Sequence, residues 1–258
     1  MKHRAFTTAV SIAFGLVLAA SASIVWADQS DVRLSAGVTF SSGAFGGTDD
    51  IEDLYVPISA SFDTGRVGFQ LVVPYLRVSA PGEVATTTES GLGDVIGSVT
   101  LYNAYYSPDR RLALDISAAV KLGTADEAKG LGTGESDFSV YLDGYKYFDN
   151  VTLLSSVGYR WRGETADAPV DDVFLGSFGA AFSVSPEAML GLIYDYRESA
   201  LVDTDDIHEL TGFVSFDLND DWQAEVSAFA GLTDSSPDWG AGFSVSTDLR
   251  RIRARDDR

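Results

Sequence analysis

The chain has no cysteine, so it can form no disulfide and carries no lipid-anchoring cysteine. Beyond its first two dozen residues it also lacks any apolar run approaching the roughly 20 residues a membrane helix needs. That excludes a helical membrane protein but not a β-barrel, whose strands need only about 9 to 11 alternating residues. Basic residues are scarce, 18 Lys+Arg against 38 Asp+Glu, which argues against nucleic acid as a partner. With only 7 prolines, 12% aromatics and 25 glycines among 258 residues, the composition is that of a folded domain rather than a disordered chain.

At the start, Lys2 and Arg4 precede an apolar run from Ala5 to Ala22, and Val25-Trp26-Ala27 places small residues at signal-peptidase spacing. Residues 1–27 therefore read as a secretory signal, with Ala20-Ser21-Ala22 as a second cleavage point. Its removal leaves 16 Lys+Arg against 38 Asp+Glu, a net charge of −22. An exported chain without disulfides suits the bacterial periplasm or outer membrane.

What the mature chain does have is period-two alternation. It predicts twelve strands, at 32–42, 54–62, 67–79, 94–105, 112–123, 136–148, 151–162, 173–184, 188–197, 207–218, 222–232 and 239–249. Connections after even-numbered strands are short (DTGR, YSPDRR, DN, SPE, NDD), whereas those after odd-numbered strands are mostly long. An even strand count with short turns at one end and long loops at the other predicts an all-β fold, a twelve-stranded antiparallel transmembrane β-barrel over residues 28–249. Tight turns must pair residues that point to one face. They set Phe148 opposite Val151, Val184 opposite Ala188, Leu218 opposite Trp222 and Phe62 opposite Val67, all on the apolar parity; Tyr105 faces Leu112 if Tyr106 is counted in the loop.

The apolar parity ends in aromatic girdles. Phe40, Tyr75, Phe138, Trp161, Phe174, Tyr196 and Trp239 lie at the long-loop end, and Phe62, Tyr105, Phe148, Phe216 and Trp222 at the other. The opposite parity, with Ser35, Gln70, Asp115, Asp143, Asp195, Glu209 and Glu225, reads as a wet lumen. Near its outer end the strand directions place Lys121, Arg160, Arg162 and Arg197, with Tyr102, Tyr141, Tyr145, Phe213 and Phe229 expected deeper. A basic mouth above an aromatic throat would suit small aromatic acids. The alternative is structural: Asp137 falls opposite Arg162, and Asp195 and Glu209 lie near Arg197, so these cations are merely paired.

In mid-chain, Gly91-Leu92-Gly93-Asp94 opens a strand and Gly132-Thr133-Gly134 precedes another, within GLGDVIGSVTLY and LALDISAAVKLGTADEAKGLGTGESDFSVYLDGYKYF. These stretches resemble the bacterial outer-membrane transporter family associated with the MetA pathway of phenol degradation. Leu122-Gly123-Thr124-Ala125 departs from that pattern by lacking a proline and a final glycine. The resemblance implies a barrel carrying hydrophobic or aromatic small molecules through the outer membrane, amid phospholipid and lipopolysaccharide, with no cofactor. Read without it, the glycines are loop residues, and neither motif fits a phosphate loop.

Two other functions are weighed. A non-conducting structural or surface-interaction barrel would have its lumen plugged by its own side chains. An outer-membrane lipid hydrolase needs a serine within reach of a histidine, yet the mature chain has only His208, outward-facing, with Leu210 two residues along on its face. No enzyme is expected. The long loops carry −18 of the −22 charge, an acidic rim that offers weak divalent-cation binding but lacks the pattern of an EF-hand. Residues 250–258, RRIRARDDR, form a basic tail expected in the periplasm, where most barrels would instead finish on an aromatic residue.

Overall fold

The computed structural model describes residues 31–82, 85–163, 170–201 and 204–249; the signal segment 1–27 and the tail 250–258 lie outside them. Strands β1 (Asp31–Gly43), β2 (Ile51–Asp63), β3 (Val67–Ala80), β4 (Thr87–Leu92), β5 (Val95–Ser107), β6 (Leu112–Leu122), β7 (Asp137–Tyr147), β8 (Val151–Trp161), β9 (Val173–Ser185), β10 (Ala188–Arg197), β11 (Ile207–Asp217), β12 (Trp222–Gly231) and β13 (Trp239–Asp248) follow in order. Apart from β4 and β5, chain neighbours pair antiparallel, and β1 pairs with β13 from Arg33↔Asp248 to Ser42↔Trp239, which closes the sheet. Both β4 and β5 pair with β3, through Tyr75↔Leu92 and Val72↔Ile96, so they are two halves of one stave slipped by a residue at Gly93-Asp94. The result is a closed barrel of twelve staves, as the alternation predicts.

Four local expectations are corrected. Residues 80–93 are not simply a loop, because β4 extends the β3 hairpin beyond the barrel rim. Phe62 faces Phe69 rather than Val67, and Tyr105 faces Leu114 rather than Leu112, after a bulge in which Asn103 adopts φ 51°. Each slip preserves parity, so no side chain changes face. The bulged Asn103 N–H is satisfied by the Asp115 carboxylate at 2.7 Å. Two other turns hold, with Phe148 N–H donating to Val151 O and Leu218 N–H to Trp222 O, but a bulge pairs Ala188 with Ser185 rather than Val184 before Leu190↔Phe182 restores the expected β9–β10 register.

A further interruption has a chemical cause. Pro57 and Pro74 face each other across β2 and β3. Gly93 N–H donates to Pro74 O, so the backbone polar groups of Pro74 point toward β4–β5, and by alternation those of Pro57 point toward β1. Each proline removes a donor from its outer flank. The β1–β2 ladder accordingly breaks between Ala36↔Ile58 and Thr39↔Tyr55, and the β3 ladder breaks at Gly93-Asp94.

The apolar parity faces outward: Ile58, Phe69, Leu71, Val99, Val157, Phe178, Leu192, Val214 and Phe243 are all exposed. Inside water such a belt would be an aggregation surface; around a barrel it is the lipid face. At the long-loop end its rings touch, Phe138–Trp161 at 5.4 Å, Tyr159–Trp161 at 4.9 Å and Tyr159–Phe174 at 4.8 Å between centroids. Such pairs contribute about 0.5–1.5 kcal/mol each beyond area burial. At the short-turn end Lys146 lies outward, its ammonium over the Phe148 ring and bonded to Arg110 O, a snorkelling geometry.

Candidate lumenal site

On the inner wall, the cations separate into two groups. Lys121 stands apart from the arginines: its ammonium meets Asp94 at 2.9 Å and Asp137 at 3.5 Å, and donates to Thr133 Oγ1 and Glu135 O. Arg160, Arg162 and Arg197, on the outer ends of β8 and β10 and just past β8, lie within Coulombic reach of one another. Arg160 donates to Ser139 Oγ (3.2 Å) and Tyr141 Oη (3.3 Å). Arg162 faces Asp137, and Arg197 faces the cross-strand pair Asp195↔Glu209. Four cations therefore sit among four carboxylates, Asp94, Asp137, Asp195 and Glu209, and the outer lumen carries no net charge from this set. Between them lies a cavity of about 60 Å³ lined by Tyr141, Ser156, Arg160, Asp195, Arg197 and Glu209, room for a few waters.

The five aromatic residues face inward but form no single layer. Tyr145 and Phe213 pack with Leu154, Ala181, Met189 and Ile193 on the β7–β11 side. Tyr102 lies low on β5 with its hydroxyl donating to Asp63 (2.9 Å). Tyr141 stands level with Arg160, and Phe229 lies near the outer end of β12, not below the arginines. Three of these rings lie over a glycine directly across the ladder: Tyr141 on Gly158, Phe213 on Gly191 and Phe229 on Gly240. A Cβ on those glycines would come within 2.4, 2.4 and 2.2 Å of the ring. The missing side chain lets the ring lie against the wall, where it takes less of the lumen than a protruding ring would.

The role of Asp94 escaped the sequence reading. The connection between β6 and β7 folds back so that Leu131, 1% exposed, meets Leu76 and Ala125 on the inner wall, with Tyr55 and Val78 alongside. Asp94, 7% exposed, holds this loop by accepting from Thr124 N–H (3.0 Å), Ala125 N–H (3.0 Å) and Lys121. The loop's ends approach so closely that a Cβ at Gly123 would lie 2.2 Å from Gly134 O. The two glycine motifs quoted from the sequence are thus one contact, with the Asp of the first as acceptor for the loop that carries the second.

The acidic rim caps strand ends. Asp172 accepts from Arg162 N–H (3.0 Å) and Tyr159 Oη (3.3 Å), Glu198 from Phe174 N–H (2.9 Å), and Asp206 from Ser199 N–H (2.9 Å) and Tyr196 Oη (3.0 Å). Among the described residues no three potential metal ligands converge. His208 Nδ1 shares a hydrogen bond with the Tyr194 hydroxyl inside the outer girdle, while Ser236 Oγ is bound to the His208 backbone at 3.1 and 2.9 Å. A serine is near this histidine, but its hydroxyl is directed at the main chain and not at the imidazole.

Solved structures with this fold are outer-membrane barrels. The COG4313 outer membrane channel from Pseudomonas putida F1 superposes with a TM-score of 0.66 at 14% identity, over 85% of this chain and 94% of that one. The KdgM porin gives 0.55 at 9% identity (83% and 98%), and the translocator domain of the autotransporter NalP from Neisseria meningitidis gives 0.51 at 9% identity (84% and 88%). No curated protein matches the chain. The family model does, over residues 29–249, and the chain belongs to the family described as "Putative MetA-pathway of phenol degradation".

Proposed function

We propose that this barrel is an outer-membrane channel for passive or facilitated passage of small, uncharged molecules, including hydrophobic and aromatic ones, and that it is not an enzyme. The observation that carries this reading is the inner wall: the four outer-end cations sit among four carboxylates, and the rings of Tyr141 and Phe229 lie flat over glycines while Phe213 is packed into the wall. A wall whose cations are compensated does not draw anions, and exposed ring faces stack with apolar solutes. In this reading Lys121, Arg160, Arg162 and Arg197 are wall-held groups that set the field at the outer end, and Tyr102 and Tyr145 complete the inner lining. The aromatic acid suggested by a basic mouth gives way to a neutral solute because Lys121, Arg162 and Arg197 each have an acid beside them and Arg160 is held by Ser139 and Tyr141.

The test is liposome swelling. Vesicles carrying the protein should swell in a neutral ring-bearing solute such as resorcinol faster than protein-free vesicles, whereas equal rates would end the proposal. Replacing Arg160 and Arg162 together by alanine removes two cations and leaves Asp137, Asp195 and Glu209. Reversal potentials should then shift toward cation selectivity in a barrel that still shows heat-modifiable migration.

One observation favours the non-conducting alternative: on β7, β8 and β11 the inner residues Ser139, Asp143, Leu154, Ser156, Phe213 and Ser215 are buried against one another. Orientation is part of the proposal, with the long connections outside the cell. An epitope tag between Ala80 and Thr87 should be reached by antibody on intact cells, and one at Ser185–Glu187 should not; the reverse result inverts the barrel.

A further inference from the structure

The inner wall is not uniform around the barrel. Along β7, β8, β9 and β11 it is packed: Asp143 is 4% and Leu154 3% exposed, and Ser139 and Phe213 are buried as well. Along β12, β13, β1 and β2 the mid-strand inner residues all keep partial exposure, although most are short: Ser227, Ser244, Ser246, Ser35, Ser59 and Ser61. A short side chain in a filled interior is covered by its longer neighbours. That these stay accessible means the free space of the lumen lies against them. On β3, the next strand round, inward Gln70 is exposed.

Hydrogen bonding divides the barrel in the same way. On the packed side Ser156 donates to Asp143 at 2.6 Å, Ser139 accepts from Arg160, and Ser117 bonds Thr100 and Asp143. Among the described residues, the hydroxyls of Ser35, Ser59, Ser244 and Ser246 have no protein partner, yet they are joined across the ladders as Gln223↔Ser246↔Ser35↔Ser59, with Ser244 opposite Glu225 one step up. Hydroxyl and amide groups each donate and accept without charge, and the Glu225 carboxylate beside them repels anions.

We infer that solute moves along the β12–β13–β1–β2–β3 wall, and that this lane selects uncharged solutes bearing hydroxyl groups, which exchange hydrogen bonds with water for hydrogen bonds with these serines and glutamines. This rests on the channel reading and adds to it a path and a chemical class. The arginine cavity and the Tyr145–Phe213 cluster then form the rigid opposite half, which narrows the lumen but does not carry the traffic.

The chain has no cysteine, so single-cysteine variants report without background. In the full-length refolded protein, Ser59→Cys and Ser244→Cys should react with a cationic methanethiosulfonate at least tenfold faster than Ser139→Cys and Ser156→Cys. Equal or inverted rates would overturn the lane. If a packed-side variant does not fold, Ser59→Trp and Ser244→Trp decide: each should slow liposome swelling in erythritol at least fivefold, and unchanged swelling overturns the path. Wild-type vesicles should admit erythritol faster than succinate, and the opposite order overturns the solute class. Thiol labelling requires no transport, so a wild type that conducts nothing removes the channel reading while the labelling rates still judge where the lumen is open.

Discussion

Arginine in place of Val157 or Leu192 is expected to destabilise the barrel in a bilayer by about 2–4 kcal/mol, the cost of a charge near the hydrocarbon midplane. Both side chains stand on the outer face, 62% and 53% exposed, in the middle of β8 and β10. Equilibrium unfolding in urea from lipid vesicles measures the difference. Arginine at Ser59 or Ser35 should cost less than about 1 kcal/mol, since those positions meet the open part of the lumen. Alternation alone would have nominated Ser156 and Ser117 as equally tolerant controls, but Ser156 is buried against Asp143, and Ser117 bridges Thr100 and Asp143. Arginine there should fail through overpacking, at about 1–3 kcal/mol. Equal costs at Val157 and Ser59 would mean the faces are misassigned.

The second large effect is expected at Asp94. Its carboxylate accepts two backbone N–H groups and the Lys121 ammonium, and hydrogen bonds to a charged group are worth about 1.5–3 kcal/mol each. Asp94→Ala should release the loop that buries Leu131. Trypsin reads the release directly, because Lys129 is exposed while Leu131, two residues on, is buried and blocks the extended conformation a protease needs. Cleavage after Lys129 should accelerate tenfold or more, since each 1.4 kcal/mol of lost docking is a factor of ten in the open population. Asp94→Asn, which keeps an acceptor and loses the charge, should fall between. Unchanged cleavage in Asp94→Ala would show that the apolar contact of Leu131 with Leu76 holds the loop by itself.

Fold and faces were legible because a strand's period is two and a barrel exposes one parity to oil. Even where the register was misjudged, at Phe62 and Tyr105, the slips were of two residues and left parity intact. Charge pairing was half legible: turn arithmetic placed Asp137 opposite Arg162, whereas Lys121 meets Asp94 diagonally across the β5–β6 ladder, at the slip between β4 and β5 that no period encodes. The Gly–aromatic pairs were hidden for a related reason. Gly158 and Tyr141, or Gly191 and Phe213, become neighbours only once the register is known, and alternation says which face a ring takes without saying whether it lies flat or projects. The asymmetry of the lumen was the least visible, because Ser156 and Ser59 share residue type and parity and differ only in what stands around them.

The central claim, an open lumen across the outer membrane whose wall cations are compensated, is tested most directly by single-channel recording of the wild-type protein in planar bilayers. Discrete current steps are predicted, with no anion selectivity in a salt gradient and a step size reduced reversibly by a neutral hydroxylated aromatic. Heat-modifiable protein that inserts and yields no steps, or steps with strong anion selectivity, would contradict it.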